Sequence, residues 1–298
     1  MAKSSTFLKW FLFIILSVIW GTSFILMKRG MDFYTPAQVA AIRMTVSFLC
    51  LFPFVIGHIK SIPKAKWKYL IMAGILGNGI PAVLFTTAET KIPSAIAGVL
   101  NSLTPLFTLI VGVLFFKFKT TTGKTIGVLL GFIGAALMVL YNAKGDFEVN
   151  YYYSLLIIVA CITYAIDTFI LNNYLMDLNP IDIAGFALFF VGIVSGCYLF
   201  STDFTHRLTT TPGALKSLGC AALLGAMGTA LAQSLFNKML KISAPLFSAS
   251  VTYTIPFVAI LWGLSDGETL GLIQIAGFVT VLAGIYLVSR KKAAKNIE

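Results

Sequence analysis

Apolar residues run along this chain in long, nearly unbroken blocks joined by short polar connections. Ten blocks stand out, at about 8–27, 36–56, 68–88, 92–116, 124–141, 151–173, 180–200, 215–239, 243–264 and 269–289. A bilayer core about 30 Å thick is crossed by about 20 helical residues at 1.5 Å each, and every block comes near that length. A transmembrane barrel would need alternating segments of about ten residues, which the chain does not have. The pattern predicts an all-α integral membrane protein with ten transmembrane helices. Lys3 and Lys9 stand before and within the start of the first block, as in a signal peptide. Its length and lack of a small-residue cleavage pattern favour a retained span.

Two blocks carry proline in the same unusual setting. Residues 91–107 read KIPSAIAGVLNSLTPLF, with Asn101, Ser102 and Thr104 just before Pro105. Residues 241–257 read KISAPLFSASVTYTIPF, with Thr252, Tyr253 and Thr254 before Pro256. An interior proline costs a water-soluble helix roughly 3 kcal/mol, but within a bundle in lipid neighbouring groups can re-satisfy the backbone. The duplication extends further. FILMKRGMDFYTP at 24–36 is matched by FILNNYLMDLNP at 169–180, and Gly127 and Gly134 by Gly277 and Gly284 at one fixed offset. Each copy holds five spans, an odd number, so the copies insert in opposite directions. The chain is therefore read as two inverted five-helix repeats, residues 1–145 and 146–298, an arrangement whose usual meaning is a transporter with a site near the midplane.

Charge sets the expected orientation. Fifteen Lys and Arg fall in one set of alternate connections (Lys3, Lys9; Lys60, Lys64, Lys66, Lys68; Lys117, Lys119, Lys124; Lys238, Lys241; Arg290, Lys291, Lys292, Lys295). The other set holds six, namely Lys28, Arg29, Lys91, Lys144, Arg207 and Lys216, while Arg43 lies within a span. By the positive-inside rule both termini are cytoplasmic, in a multi-pass protein of the cell (inner or plasma) membrane. This distribution also explains the net charge of +11 without nucleic acid. With 58% hydrophobic and 11% charged residues, there is too little charge to cover a water-facing surface. Cys50, Cys161, Cys197 and Cys220 lie in apolar blocks without metal spacing, and read as free thiols. Both histidines, His58 and His206, lie in loops, so no metal site and no cofactor are expected.

Depth along each span selects candidate site residues. Trp20, Asn78, Asn101, Tyr164 and Tyr253 fall near the midplane, where a polar group must face a cavity or another helix. Interhelical hydrogen bonds are the competing reading for each. Around Asn101, the residues Ser94, Ala97, Gly98, Thr104, Pro105 and Thr108 make one small, polar helical face. Arg43 enters span two by seven residues, roughly 10 Å from its start. It can snorkel, anchor a substrate carboxylate or pair with Glu89. Asp167, sixteen residues into span six and on the face of Thr163 and Tyr164, is a candidate for proton coupling, for binding an amine or for a gate hydrogen bond. Depth alone places Arg43 and Asp167 too far apart to pair. Gln233 and Asn237, with Thr229, form a polar face nearer the cytoplasmic end of span eight. No catalytic constellation and no nucleotide-binding motif occurs, so active transport would draw on a gradient or on exchange.

Taken together, these residues resemble the drug/metabolite transporter superfamily, and within it the EamA-like ten-helix permeases. The likeness rests on WGTSF from Trp20 to Phe24, Pro36 and Arg43 opening span two, small-residue span four ending at Pro105, and the glycine-spaced fifth and tenth spans. It covers essentially the whole chain. The resemblance implies export of small polar metabolites, often amino acids or their derivatives, by exchange or proton coupling, with Trp20 near the cavity. Expected partners are the lipid bilayer, a small-molecule substrate, and a proton or an exchanged metabolite; oligomeric state stays open. A passive channel would want a pore ring repeated by symmetry, whereas Asn101 and Tyr253 differ between the halves. A lipid-modifying membrane enzyme would need a carboxylate, histidine or metal-ligand cluster at one interface, and the two histidines lie on opposite sides.

Overall fold

The computed structural model describes residues 2–92, 94–140, 151–258 and 272–289, and among these there is no strand. Seven stretches are long and apolar enough to cross a membrane: Thr6–Gly30, Pro36–Ser61, Lys64–Ala88, Ile96–Phe115, Tyr151–Leu175, Pro180–Ser201 and Ala214–Ile242. The expected fifth and tenth spans contain the shorter apolar helices Thr122–Leu137 and Ile275–Ser289. The expected ninth span continues past residue 258, and Lys144 and the basic tail also lie outside the described residues. The chain is an all-helical membrane protein. Large apolar side chains such as Phe7, Val194, Leu215 and Leu272 face outwards, as a lipid-facing surface requires.

The helices are α1 (Ala2–Gly30), α2 (Pro36–His58), α3 (Trp67–Gly74), α4 (Ile80–Ala88), α5 (Ser94–Asn101), α6 (Thr104–Phe115) and α7 (Thr122–Leu140). They continue as α8 (Tyr151–Ile170), α9 (Pro180–Ser201), α10 (Phe204–Thr210), α11 (Ala214–Leu223), α12 (Ala232–Ile242), α13 (Pro245–Ala249) and α14 (Leu272–Ser289). Helix α2 starts with a capping box in which Thr35 Oγ1 accepts from the Gln38 backbone and Gln38 Oε1 accepts from the Thr35 backbone. Pro36, Pro105, Pro180 and Pro245 all occupy a first-turn position, where the missing N–H has no intrahelical partner to lose.

Pro105 therefore opens a helix rather than sitting inside one. Span four is broken at Ser102–Leu103, between α5 and α6. The turn is held by side chains: Ser102 Oγ donates to the Gly98 carbonyl at 3.1 Å and Thr104 Oγ1 to the Asn101 carbonyl at 2.7 Å. The second proline stretch is irregular too, with α13 passing into a tight 3₁₀ turn over Ser250–Thr254. The two irregular stretches meet, Ser102 Oγ also donating to the Thr252 carbonyl at 3.2 Å.

The glycine pairs also meet. Helices α7 and α14 pack along each other. A Cβ added at Gly127 would lie 2.8 Å from the Gly284 carbonyl oxygen, and one at Gly134 would lie 2.7 Å from that of Gly277. Only glycine permits this backbone-on-backbone approach. Helix α2 lies against α9, and α4 and α6 lie against α8, so the two halves interleave around a common centre.

Candidate functional site

That centre is hollow. A cavity with about 850 Å³ of atom-free space, its mouth included, is lined by residues of both halves. Two segments on its wall are π-helical, Ile75–Gly79 between α3 and α4, and Leu224–Leu231 between α11 and α12. A π turn widens a helix and moves side chains out of ordinary register, and such turns recur at functional sites. Here they bring Gly77 and Asn78 to the cavity from one side, and Gly228 and Thr229 from the other.

Four of the five residues expected near the midplane reach the cavity. Trp20 lines it with its indole Nε1 donating to the Gly228 carbonyl at 3.1 Å and its ring tilted against Phe236. Asn78 is buried and its Nδ2 approaches the Ala73 carbonyl at 3.5 Å, a long contact that binds it weakly. Asn101 closes α5, and its Oδ1 accepts from Thr104 Oγ1 at 3.3 Å. Tyr164 stands beside Phe85, ring centroids 6.2 Å apart, and both line the cavity.

Tyr253 does not. Its hydroxyl donates to the Val128 carbonyl at 2.7 Å and its ring lies on Gly131, so it fastens the chain to α7. The reason is the 3₁₀ turn over Ser250–Thr254, which advances about 120° per residue where an α-helix advances about 100°. Depth along the span does not fix this rotation. Ser248, Ala249, Thr252 and Ile255 line the cavity instead. Asn237 is likewise turned away, fully buried with its Nδ2 donating to the Pro180 carbonyl at 3.2 Å, while Gln233 one turn earlier lines the cavity.

Among the described residues the cavity wall carries one cation and one acid. Arg43 points inwards across the bundle, its Nε donating to Thr229 Oγ1 at 2.6 Å, rather than snorkelling to a membrane surface. Asp167 is seated on Gly77, where an added Cβ would collide with its carboxylate, and its Oδ1 is buried without a hydrogen-bond partner among the described residues. Arg43 and Asp167 form no ion pair with each other among the described residues, yet both line the same space. Their joint presence escapes a reading based on depth alone. A guanidinium can hold a carboxylate, and an unpaired buried carboxyl can hold an ammonium or a proton. Phe24 and Met27 also line the cavity, and both follow Trp20 at helical spacing, a signal available in the sequence.

Beyond each end of the cavity, polar bonds tie the halves together. At one end Lys66 Nζ donates to the Tyr174 carbonyl at 2.6 Å and pairs with Asp177 at 2.7 Å. His58 Nδ1 lies 2.7 Å from Asp182 Oδ1, while Lys241 Nζ reaches the Leu178 carbonyl at 3.1 Å within the second half. At the other end Gln38 Nε2 donates to Thr202 Oγ1 and Asp203 Oδ1, and Arg207 donates to Asp203 and to the Phe33 carbonyl. The hydrogen bond from Lys66 holds Asp177 below the usual carboxylate range, and that from Arg207 does the same for Asp203.

A sequence model of the EamA-like transporter family matches residues 8–140 and again residues 152–290. Among curated relatives, an "Uncharacterized transporter" of Archaeoglobus fulgidus is 28% identical over 95% of this chain and 99% of its own length. The "Uncharacterized inner membrane transporter YedA" of Escherichia coli (strain K12) is 24% identical over 93% of this chain and 89% of its own. A "Probable amino-acid metabolite efflux pump" of Salmonella typhimurium is 24% identical over 93% of each chain. A solved crystal structure matches with a TM-score of 0.71 at 15% identity, covering 96% of each chain, so the fold has been seen before.

Proposed function

The chain belongs to the EamA-like transporter family, and on that premise we propose that it is a secondary exporter of small polar metabolites, amino acids or their derivatives, working by alternating access. In this reading the chain crosses the membrane ten times as two inverted five-helix repeats, residues 1–145 and 146–298, with both termini cytoplasmic. One observation carries it: a central cavity lined from both family-matched halves that holds Arg43 and Asp167 apart from each other. A molecule bearing both a carboxylate and an amine would satisfy both groups. Trp20, Asn78, Asn101 and Tyr164 would shape the space between, and Gln233 its flank. Asp167 takes the substrate amine or the coupling proton. The relative named as an amino-acid metabolite efflux pump supports the substrate class. The polar ties beyond the two ends act as alternating gates.

The deciding test is export itself. Cells with and without the gene are compared for intracellular metabolites, and the compound that accumulates in its absence is then loaded into proteoliposomes. Trp20→Ala and Asn101→Leu should each lower its flux about tenfold or more, the loss of roughly 1.4 kcal/mol of binding, with membrane insertion intact. Unchanged flux in both variants would remove the cavity as the substrate site. Asp167→Asn should also lower flux; a flux unchanged at every pH would mean Asp167 has neither role. Labelling of a tail cysteine from outside the cell would overturn the orientation.

A further inference from the structure

Glu89 has no part in the cavity wall, yet it stands next to the groups that do. It follows immediately after the span Lys64–Ala88, one turn beyond Phe85, which lines the cavity. Its Oε2 receives only a long hydrogen bond, 3.4 Å, from Ser94 Oγ. Its Oε1 is fully enclosed and has no hydrogen-bond partner among the described residues. Two cations act on it through space, Lys28 from α1 and Arg43 from α2, and neither comes within ion-pairing distance among the described residues. Arg43 in turn has Thr229 as its side-chain hydrogen-bond partner among the described residues, through Nε. A carboxyl with an orphaned oxygen and a guanidinium without a carboxylate thus act on each other through space without pairing.

We propose that Glu89 is an internal competitor for the charge of Arg43, so that an acidic ligand and a proton load into the protein together. The physical basis is the cost of burying charge. Burial of Glu89 pushes its carboxyl up to about 8, with Ser94, Lys28 and Arg43 pulling the other way. At neutral pH Glu89 is therefore mostly protonated and neutral, and Arg43 is free to receive a ligand carboxylate. As pH rises through that value Glu89 ionises, compensates Arg43 and repels an incoming carboxylate. Binding of a carboxylate should then weaken on the alkaline side, and in that window it should take up a proton. A ligand without a carboxylate should show no such dependence. The inference rests on the reading of the cavity as a ligand site only in that Arg43 receives the ligand.

An infrared pH titration of the purified full-length protein tests it without any substrate. The part of the protonated-carboxyl band that Glu89→Gln removes, read as the difference between wild type and variant, should be present at neutral pH and fade with a midpoint near 8. In Arg43→Gln the midpoint should rise, because a positive charge acting on Glu89 has been removed. A midpoint in the ordinary carboxylate range, or one that ignores Arg43→Gln, overturns the proposal. In parallel, thermal shifts with the common L-amino acids are read in neutral and mildly alkaline buffer. Stabilisation that fades at alkaline pH in the wild type but persists in Glu89→Gln supports the proposal, and the same fading in both overturns it. If no amino acid stabilises the protein, the substrate class proposed above fails, while the infrared titration still decides the role of Glu89.

Discussion

Asp167 shows how one residue depends on the backbone opposite it. Its carboxylate rests on Gly77, in the π turn Ile75–Gly79, because that position carries no side chain. Gly77→Ala should therefore destabilise the protein by about 1–3 kcal/mol, the usual cost of overpacking, and should reduce flux as well. Combining it with Asp167→Ser should recover part of the lost stability but not the flux, which a thermal scan and a vesicle assay would separate. The sequence made Asp167 a candidate through its charge within a span. It could not show the seat, because a π turn leaves no simple composition signature. Trp20, Asn78, Asn101 and Tyr164 were legible because depth follows from a constant rise per residue. Tyr253 was not, because rotation depends on whether the local turn is α or 3₁₀.

At the scale of elements, the clearest duplicated feature is the glycine pairing of α7 and α14. Their backbones approach so closely that Gly134→Leu should separate them, lowering stability by about 1–3 kcal/mol. Gly123→Ala on the same helix should be nearly neutral, since nothing lies within 4 Å of an added Cβ there. Thermal melting of the two variants in detergent makes the comparison. The sequence offset of these glycines announced a relation between the two helices, but not that they touch. Pro105 likewise marked an irregularity before the structure showed its form, a new helix start held by Ser102 and Thr104.

For the whole molecule, the expected consequence of ties at both ends is that loosening one opens the cavity on that side alone. In a variant without the native cysteines, Asn101→Cys should label faster with an impermeant thiol reagent when Gln38→Ala is added, and from the end that carries Asp203. Lys66→Ala should produce the same effect from the end that carries Asp177. Acid adds a direction. Because Lys66 and Arg207 hold Asp177 and Asp203 low, the contribution of each pair is present at neutral pH. It disappears as pH falls through the lowered values. Labelling, normalised at each pH to the rate of a free thiol because only the thiolate reacts, should therefore rise in strong acid and stay flat between mildly acidic and neutral buffer.

By itself the sequence determined the membrane class, the long helices, the duplication and most of the polar residues that line the cavity. These follow from local quantities: runs of apolar side chains long enough for a bilayer, a fixed rise per residue, and recurring proline and glycine positions. The tertiary structure alone decided which side chains share the cavity. It brought Arg43 and Asp167 to one cavity, sent Tyr253 and Asn237 into packing, and enclosed Glu89 with one oxygen unpartnered among the described residues. Those outcomes depend on how α2, α8 and the irregular turns rotate against one another. That rotation is set by contacts between residues far apart in the chain, which no local pattern encodes.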